Sequence, residues 1–250
     1  MTNCTCAGTH HPRRVVLTGG PGAGKTAVLE ILRIAMCRHI HVLPEAAGLV
    51  FGGGFPRGAS LALRRPAQHA IYYVQRELEA TTLGLDAAIV MCDRGTVDSL
   101  AYWPGPDGLW ESVDSTLADE LGRYDAVIHL RTPPAALGYN HANPLRIETA
   151  EEAAVIDERI ANVWSMHPRR FEVPATPDFF AKVARTVAIV TDLLPPCCRP
   201  PRFESWTDRD DVLATLPAPI AALWHQLTTR ALGTRSMACA RDTRRTGYSR

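Results

Sequence analysis

The residues best suited to chemistry stand near the N-terminus, in Gly19-Gly20-Pro21-Gly22-Ala23-Gly24-Lys25-Thr26, followed by Ala27. The stretch fits G-x-x-x-x-G-K-[ST], a pattern for holding a polyphosphate. Its glycines let the backbone turn tightly and bring N–H groups inward with no Cβ in the way. A helix opening at Lys25 adds the partial positive charge of its N-terminus. The Lys25 ammonium can then reach the β- and γ-phosphates, and the Thr26 hydroxyl can sit on Mg²⁺. The pattern therefore predicts ATP and Mg²⁺ as cofactors, cradled by residues 19–27.

Two carboxylates complete the candidate chemistry. Asp93-Arg94-Gly95 follows the apolar run 87–92. An Asp at the end of a buried strand can organise Mg²⁺ with Thr26 or accept a proton. Arg94 beside it can hold a phosphate or a substrate oxygen in a bidentate grip. An Asp-Arg pair at this strand end is typical of small-molecule kinases of P-loop type. Asp93 can instead be the N-cap of the helix that follows. Glu45, just past the run 39–43, suits binding or deprotonation of an acceptor hydroxyl, or else a capping or salt-bridge role. The chain has no Asp-Glu pair ending an apolar strand, no Asn-Lys-x-Asp and no Leu-Ser-Gly-Gly. These absences argue against motor ATPases, ordinary GTPases and transporter ATPases.

The elements that must position these residues are legible as short β-branched runs at 13–18, 39–43, 87–92, 124–130 and 170–173, read as buried parallel strands. Helices are predicted at 25–37, 66–83, 96–103, 110–121, 150–164 and 177–193. Such alternation predicts an α/β fold, a three-layer sandwich around a parallel sheet. In open α/β sheets ligands bind at the C-terminal strand ends, where Gly19, Glu45 and Asp93 all fall.

With 250 residues, 46% of them hydrophobic and 21% charged, the chain is read as one soluble domain with an appendage. The net charge of +1 gives no electrostatic ground for a nucleic-acid or membrane-surface partner. No apolar run approaches the ~18 residues of a membrane span. The polar N-terminus has no signal-like core, and seven cysteines make an odd count in a chain too large to need staples. A reducing, cytoplasmic setting is expected.

Together the motifs resemble the P-loop ATPase/kinase group that contains the nicotinamide-riboside kinase domain of NadR and related AAA-type ATPases. The resemblance is carried by 16–26, Pro44-Glu45-Ala46-Ala47, Gln68 and Gln75, and Asp93-Arg94-Gly95-Thr96-Val97-Asp98 with Ala101-Tyr102. It continues in Arg123-Tyr124-Asp125, Arg146-Ile147-Glu148-Thr149 and Glu151-Glu152-Ala153. It covers roughly 13–194, the expected nucleotide-binding ATPase/kinase domain. It implies strand order 2-3-1-4-5, with Asp93 beside the phosphate loop. It also implies a mobile lid at 131–148, whose Arg146 closes on the transferring phosphate; Arg159, Arg169 and Arg170 are alternatives. The turn 174–177 lies where kinases of this fold often hold the adenine, and Thr176 also reads as a helix N-cap. The activity implied is transfer of the γ-phosphoryl group of ATP to a small hydroxylated acceptor, such as a nucleoside. A nucleotide-dependent switch or regulatory ATPase without a small acceptor is the alternative. A homodimer is compatible with either.

Some features fall outside this scheme. The segment 51–56, Phe-Gly-Gly-Gly-Phe-Pro, is read as a flexible loop near the acceptor site. Tyr102-Trp103 either line that pocket or pack in the core. The charges on 150–164 are read as surface pairs. Cys4-x-Cys6 followed by His10 and His11 is a metal-binding candidate, and Cys197-Cys198 are adjacent. Neither group has a second half at zinc-site spacing, so a frayed terminus and a linker are expected. Residues 195–250 form an extension, partly disordered, with helical spacing at 212–232. From Thr228 onward it carries six Arg and one Asp, a basic tail.

Overall fold

The computed structural model describes residues 6, 9–105, 108–134, 149–176 and 178–199. Arg146, most of the expected lid, Cys4, the helix at 212–232 and the basic tail lie outside the described residues.

Five parallel strands form one sheet: β1 (Arg13–Thr18), β2 (Ile40–Leu43), β3 (Ile89–Asp93), β4 (Ala126–Leu130) and β5 (Arg170–Val173). Their order is β2-β3-β1-β4-β5, as the resemblance implied. The central strand pairs with β3 through Leu17 opposite Asp93, and with β4 through Thr18 opposite His129. This register fixes Asp93 and the start of the phosphate loop side by side. β3 and β4 are buried along their whole length, because helices cover both faces.

Eight α-helices occur among the described residues: α1 (Lys25–Ala35), α2 (Ala46–Gly52), α3 (Leu61–Ala80), α4 (Asp98–Tyr102), α5 (Leu109–Ser112), α6 (Leu117–Gly122), α7 (Ala150–Val163) and α8 (Phe179–Leu193). α1 packs on β2, β3 and α8. Alternate strand residues Val16, Val90, Cys92 and Val127 instead meet Leu121, Tyr124, Ile160 and Trp164 on the other face.

Three departures from the sequence reading have local causes. Part of the expected loop at 51–56 is helical: α2 runs to Gly52, with Glu45 at its N-cap and Leu49 N–H donating to Glu45 O. The helix expected from Pro66 begins at Leu61, with Ser60 at its N-cap. Pro66 falls in the second turn, where it removes the bond to Ala62 O, and the helix continues past it to Ala80. The single helix expected at 110–121 is two, because Thr116 caps a new start by accepting from Asp119 N at 3.1 Å.

A buried polar network locks α3 to the loop after β3 and to the start of β4. The Tyr124 hydroxyl accepts from Thr96 N at 2.7 Å and donates to Glu79 Oε1 at 2.7 Å. Thr96 Oγ1 donates to Glu120 Oε2 at 2.7 Å, and Tyr72 donates to Glu120 Oε1 at 2.7 Å. Arg123 pairs with Glu79. Removing one hydroxyl strands its partners without solvent. Tyr124→Phe should therefore lower stability by about 1–3 kcal/mol. Urea unfolding should show a lower midpoint at unchanged slope.

Candidate functional site

The site is built on the loop between β1 and α1. Gly24, at the N-cap of α1, has φ +93°, and a Cβ there would meet Phe179 Cε2 at 2.5 Å. Only glycine fits both the left-handed backbone and that approach. The first intrahelical bond is Val28 N–H to Gly24 O at 3.1 Å. The amides of Lys25, Thr26 and Ala27 precede it, so none has an intrahelical acceptor, which makes them donors for an anion. Other loop groups are committed to structure. Ala23 N–H donates to Gly20 O at 3.3 Å, and Pro21 has no N–H to give. Gly20 N–H donates to Asp157 Oδ1 at 2.8 Å. Ala23 and Gly20 therefore shape the cradle through backbone that is already bonded.

Residues the sequence reading missed support the cradle from below. Asp157 of α7 is buried, not a surface partner as its helix pattern suggested. It also takes His129 Nε2 at 2.9 Å and Arg131 Nε at 3.2 Å. Burial raises its pKa, but His129, the Gly20 amide and Arg131 outweigh that and hold it below the ordinary value. Thr132 Oγ1 donates to Pro21 O at 3.2 Å. Lys182 of α8 donates to Ala23 O at 3.1 Å and Arg131 O at 2.7 Å. The chain has two lysines, and both grip this loop. The signal available was the scarcity of lysine itself.

Lys25 folds back on the loop, its Nζ donating to Gly19 O at 3.0 Å and Gly20 O at 3.3 Å. Burial pushes it down to about 8, with Arg94 adding and Glu45, Asp93 and Asp98 opposing. Burial pushes Asp93 up to about 6 against the pull of Lys25, with Glu45 adding to the rise. Asp93 Oδ1 is buried and makes no hydrogen bond among the described residues. An orphaned buried acceptor next to an ammonium needs an explanation. It fits a Mg²⁺ or its water, held with Thr26 at the start of α1. Asp93 is no helix N-cap, since α4 begins at Asp98 after Val97.

Arg94 has φ +70°, a left-handed conformation uncommon outside glycine. The turn sends its guanidinium back to Glu45 Oε1 at 2.7 Å and Asp98 Oδ1 at 3.1 Å. Burial works against its charge, but Tyr102, Glu45 and Asp98 raise its pKa. For Glu45, burial is outweighed by Arg94 and Lys25, which hold it below the usual carboxylate value. Asp98 also accepts from Thr18 Oγ1, from Gly95 N at 3.1 Å and from Trp164 Nε1 at 3.1 Å.

A cavity of about 740 Å³ opens from this cluster. Lys25 and Thr26 stand at one side. Glu45, Arg94 and Asp98 form a charged wall, and α2, α3 and α4 supply Phe51, Arg64, Gln68, Gln75 and Tyr102. Phe51 lines it, under the Arg57 guanidinium 4.9 Å from its ring, whereas Phe55 does not. Tyr102 faces it, but Trp103 stacks on His69 at 5.3 Å. Asp93 does not line it. Arg159 and Arg169 are exposed, and Arg170 pairs with Glu172 at 2.9 Å, so none of the three reaches the cavity. Thr176 is not the expected N-cap: α8 opens at Phe179, its first intrahelical bond runs to Asp178 O, and Thr176 Oγ1 accepts only a local turn bond from Asp178 N at 3.2 Å.

A glycine-rich loop between strand and helix, at the C-terminal edge of a parallel sheet of this order, defines a P-loop nucleotide-binding fold. The family model described as AAA domain matches residues 14–179, and the chain belongs to that family. Membership implies nucleotide binding, generally with Mg²⁺. No curated protein matches the chain. No helix among the described residues is long and apolar enough to cross a membrane.

The buried Asp93 generates a prediction about stability. Its native pKa of about 6 lies above the ordinary 3.8. Between these values the native state keeps a proton that the unfolded chain releases, so stability falls as pH rises through the window. The loss persists above it. Asp93→Asn should therefore stabilise the nucleotide-free protein at pH 7–8 by about 1–3 kcal/mol. The gain should shrink to nothing near pH 4, while Mg²⁺-dependent nucleotide affinity drops. Thermal melts across pH, with and without Mg·ATP, check both signs.

Proposed function

We propose that the protein is a Mg-dependent kinase that moves the γ-phosphoryl group of ATP to a hydroxyl of a small acceptor of nucleoside type. The observation that carries this reading is the cavity beside the phosphate cradle, which leads from Lys25 and Thr26 to a wall holding Glu45 and Arg94. Its size lies within the range of about 300–1,000 Å³ common for small-molecule sites. A switch without an acceptor has no need of such a chamber. The likeness to the nicotinamide-riboside kinase group supports the acceptor class.

In this reading the amides of 25–27 and Lys25 hold the β- and γ-phosphates. Thr26 and Asp93 hold Mg²⁺, which supplies charge neutralisation when bound. Arg94 faces the equatorial oxygens of the transferring group, and Arg146 is proposed to join it. Glu45 aligns the acceptor hydroxyl. The acceptor oxygen bonds to the γ-phosphorus as the bond to the bridging oxygen breaks, and ADP leaves. A loose transition state acidifies the hydroxyl only late, so the weakly basic Glu45 is sufficient to take the proton. Gln68, Gln75 and Arg64 present polar groups to the acceptor.

Release of ADP from Mg·ATP, with and without pooled nucleosides and related metabolites, tests the proposal. One pool should raise turnover at least about tenfold, and Lys25→Ala should abolish the effect. Glu45→Gln should keep ATP affinity yet lose about 10²–10⁴-fold of the acceptor-dependent rate. Binding of ATP with a slow rate unchanged by every pool overturns the kinase reading.

A further inference from the structure

His10 stands 188 residues before Cys198, yet the fold makes Cys6 and His10 neighbours of Cys197 and Cys198. Cys6 Sγ lies 3.2 Å from His10 Nε2, and Cys198 Sγ lies 3.3 Å from the same nitrogen. The sulfurs of Cys197 and Cys198 are 4.0 Å apart. All four ligand atoms lie within 4.8 Å of one another. Each half looked incomplete in the sequence, and each supplies the other's missing ligands. Tetrahedral Zn²⁺, with bonds of about 2.3 Å to sulfur and about 2.0 Å to nitrogen, separates its ligand atoms by about 3.5–3.8 Å. The cluster needs only small adjustments to meet that shape.

The surroundings fit an outer shell. Arg38 Nε donates to His39 Nε2 at 3.4 Å, and Asp86 Oδ2 lies 3.6 Å from the same nitrogen. Nδ1 faces Cys198 Sγ at 3.5 Å and Cys37 Sγ at 3.9 Å. His39 thus lies against the Cys198 sulfur from outside the group of Cys6, His10, Cys197 and Cys198. Asp86 anchors the other side, accepting from His10 N at 3.2 Å. The place in the fold is also informative. His39 O accepts from Ala88 N at 2.7 Å, just before β3 begins, so the cluster sits at the N-terminal strand ends. The phosphate cradle is at the opposite edge.

We propose that Cys6, His10, Cys197 and Cys198 form a structural zinc site that staples the segment before β1 to the turn after α8. Four protein ligands leave no open position, which marks a structural site rather than a catalytic one. Loading exchanges three thiol protons for one Zn²⁺ and gives three thiolates and a neutral imidazole on the metal; no oxidant or reductant is involved. The absence of zinc-site spacing within either half is corrected by topology, since the two termini of the folded unit meet. His11 is not in the group, and Cys4 lies outside the described residues.

Metal analysis of the full chain, purified without added chelator, should find about one zinc per chain in the wild type and in Lys25→Ala. Cobalt added to the zinc-stripped wild type should give thiolate-to-cobalt charge transfer and the intense visible bands of a tetrahedral ion. Cys197→Ala changes an exposed residue and should weaken metal affinity about tenfold or more in chelator competition. Cys6→Ser with Cys198→Ser should abolish loading, and binding of a fluorescent ATP analogue reports whether that variant is folded. Cobalt spectra of an octahedral ion overturn the site, and so does equal metal content in wild type and the double variant. A Cys6 disulfide to Cys197 or Cys198 in protein prepared under reducing conditions also overturns it. The wild-type cobalt spectrum decides even if the variants fail to fold.

Discussion

A carboxylate buried away from water must be met by donors, and the architecture of the site turns on how Asp98 is met. Thr18 at the end of β1, Arg94 and Gly95 after β3, and Trp164 beyond α7 all donate to it. It is 3% exposed, so none of these bonds competes with solvent. The carboxylate ties the central strand, the turn bearing Asp93 and the helix that carries Asp157 into one unit. It also aims Arg94, whose left-handed backbone would be strained without so firm a grip on its side chain. Glu45 takes the remaining side of the guanidinium, and α2 is thereby fixed at the cavity wall.

The phosphate loop is preorganised by the same logic on its other side. Asp157, Thr132 and Lys182 satisfy loop groups that would otherwise need water or ligand. Binding donors that are held in place beforehand spares the cost of ordering them when charge arrives. Lys25 rests on loop carbonyls, and burial lowers its pKa only to about 8, so it keeps its charge at neutral pH. Asp93 is the converse case, a carboxylate whose charge is made costly by burial.

Much of this was readable in the chain. The strand–loop–helix, the five strands and the position of Glu45, Asp93 and Arg94 at one sheet edge follow from local patterns. β-branched runs form buried strands, glycines permit the turn, and residues just after parallel strands project from the same edge. What stayed hidden includes the commitment of Gly20 N–H to Asp157, 137 residues away, and of Ala23 O to Lys182, 159 residues away. Asp157 sits among charges that look like surface pairs, and nothing in helical spacing marks the one that turns inward. Asp98 likewise differs from an ordinary first-turn acid only in what packs around it.

The sequence by itself determined which backbone can cradle phosphate and which side chains leave the strand ends. Those properties depend on the period of the pattern and on steric freedom within a few residues. Only the tertiary structure decided which carboxylates are buried, that Lys182 supports the loop from α8, and that the two cysteine-bearing ends meet. Burial, desolvation and ligand geometry depend on distances between segments far apart in the chain, and local pattern carries no record of those distances.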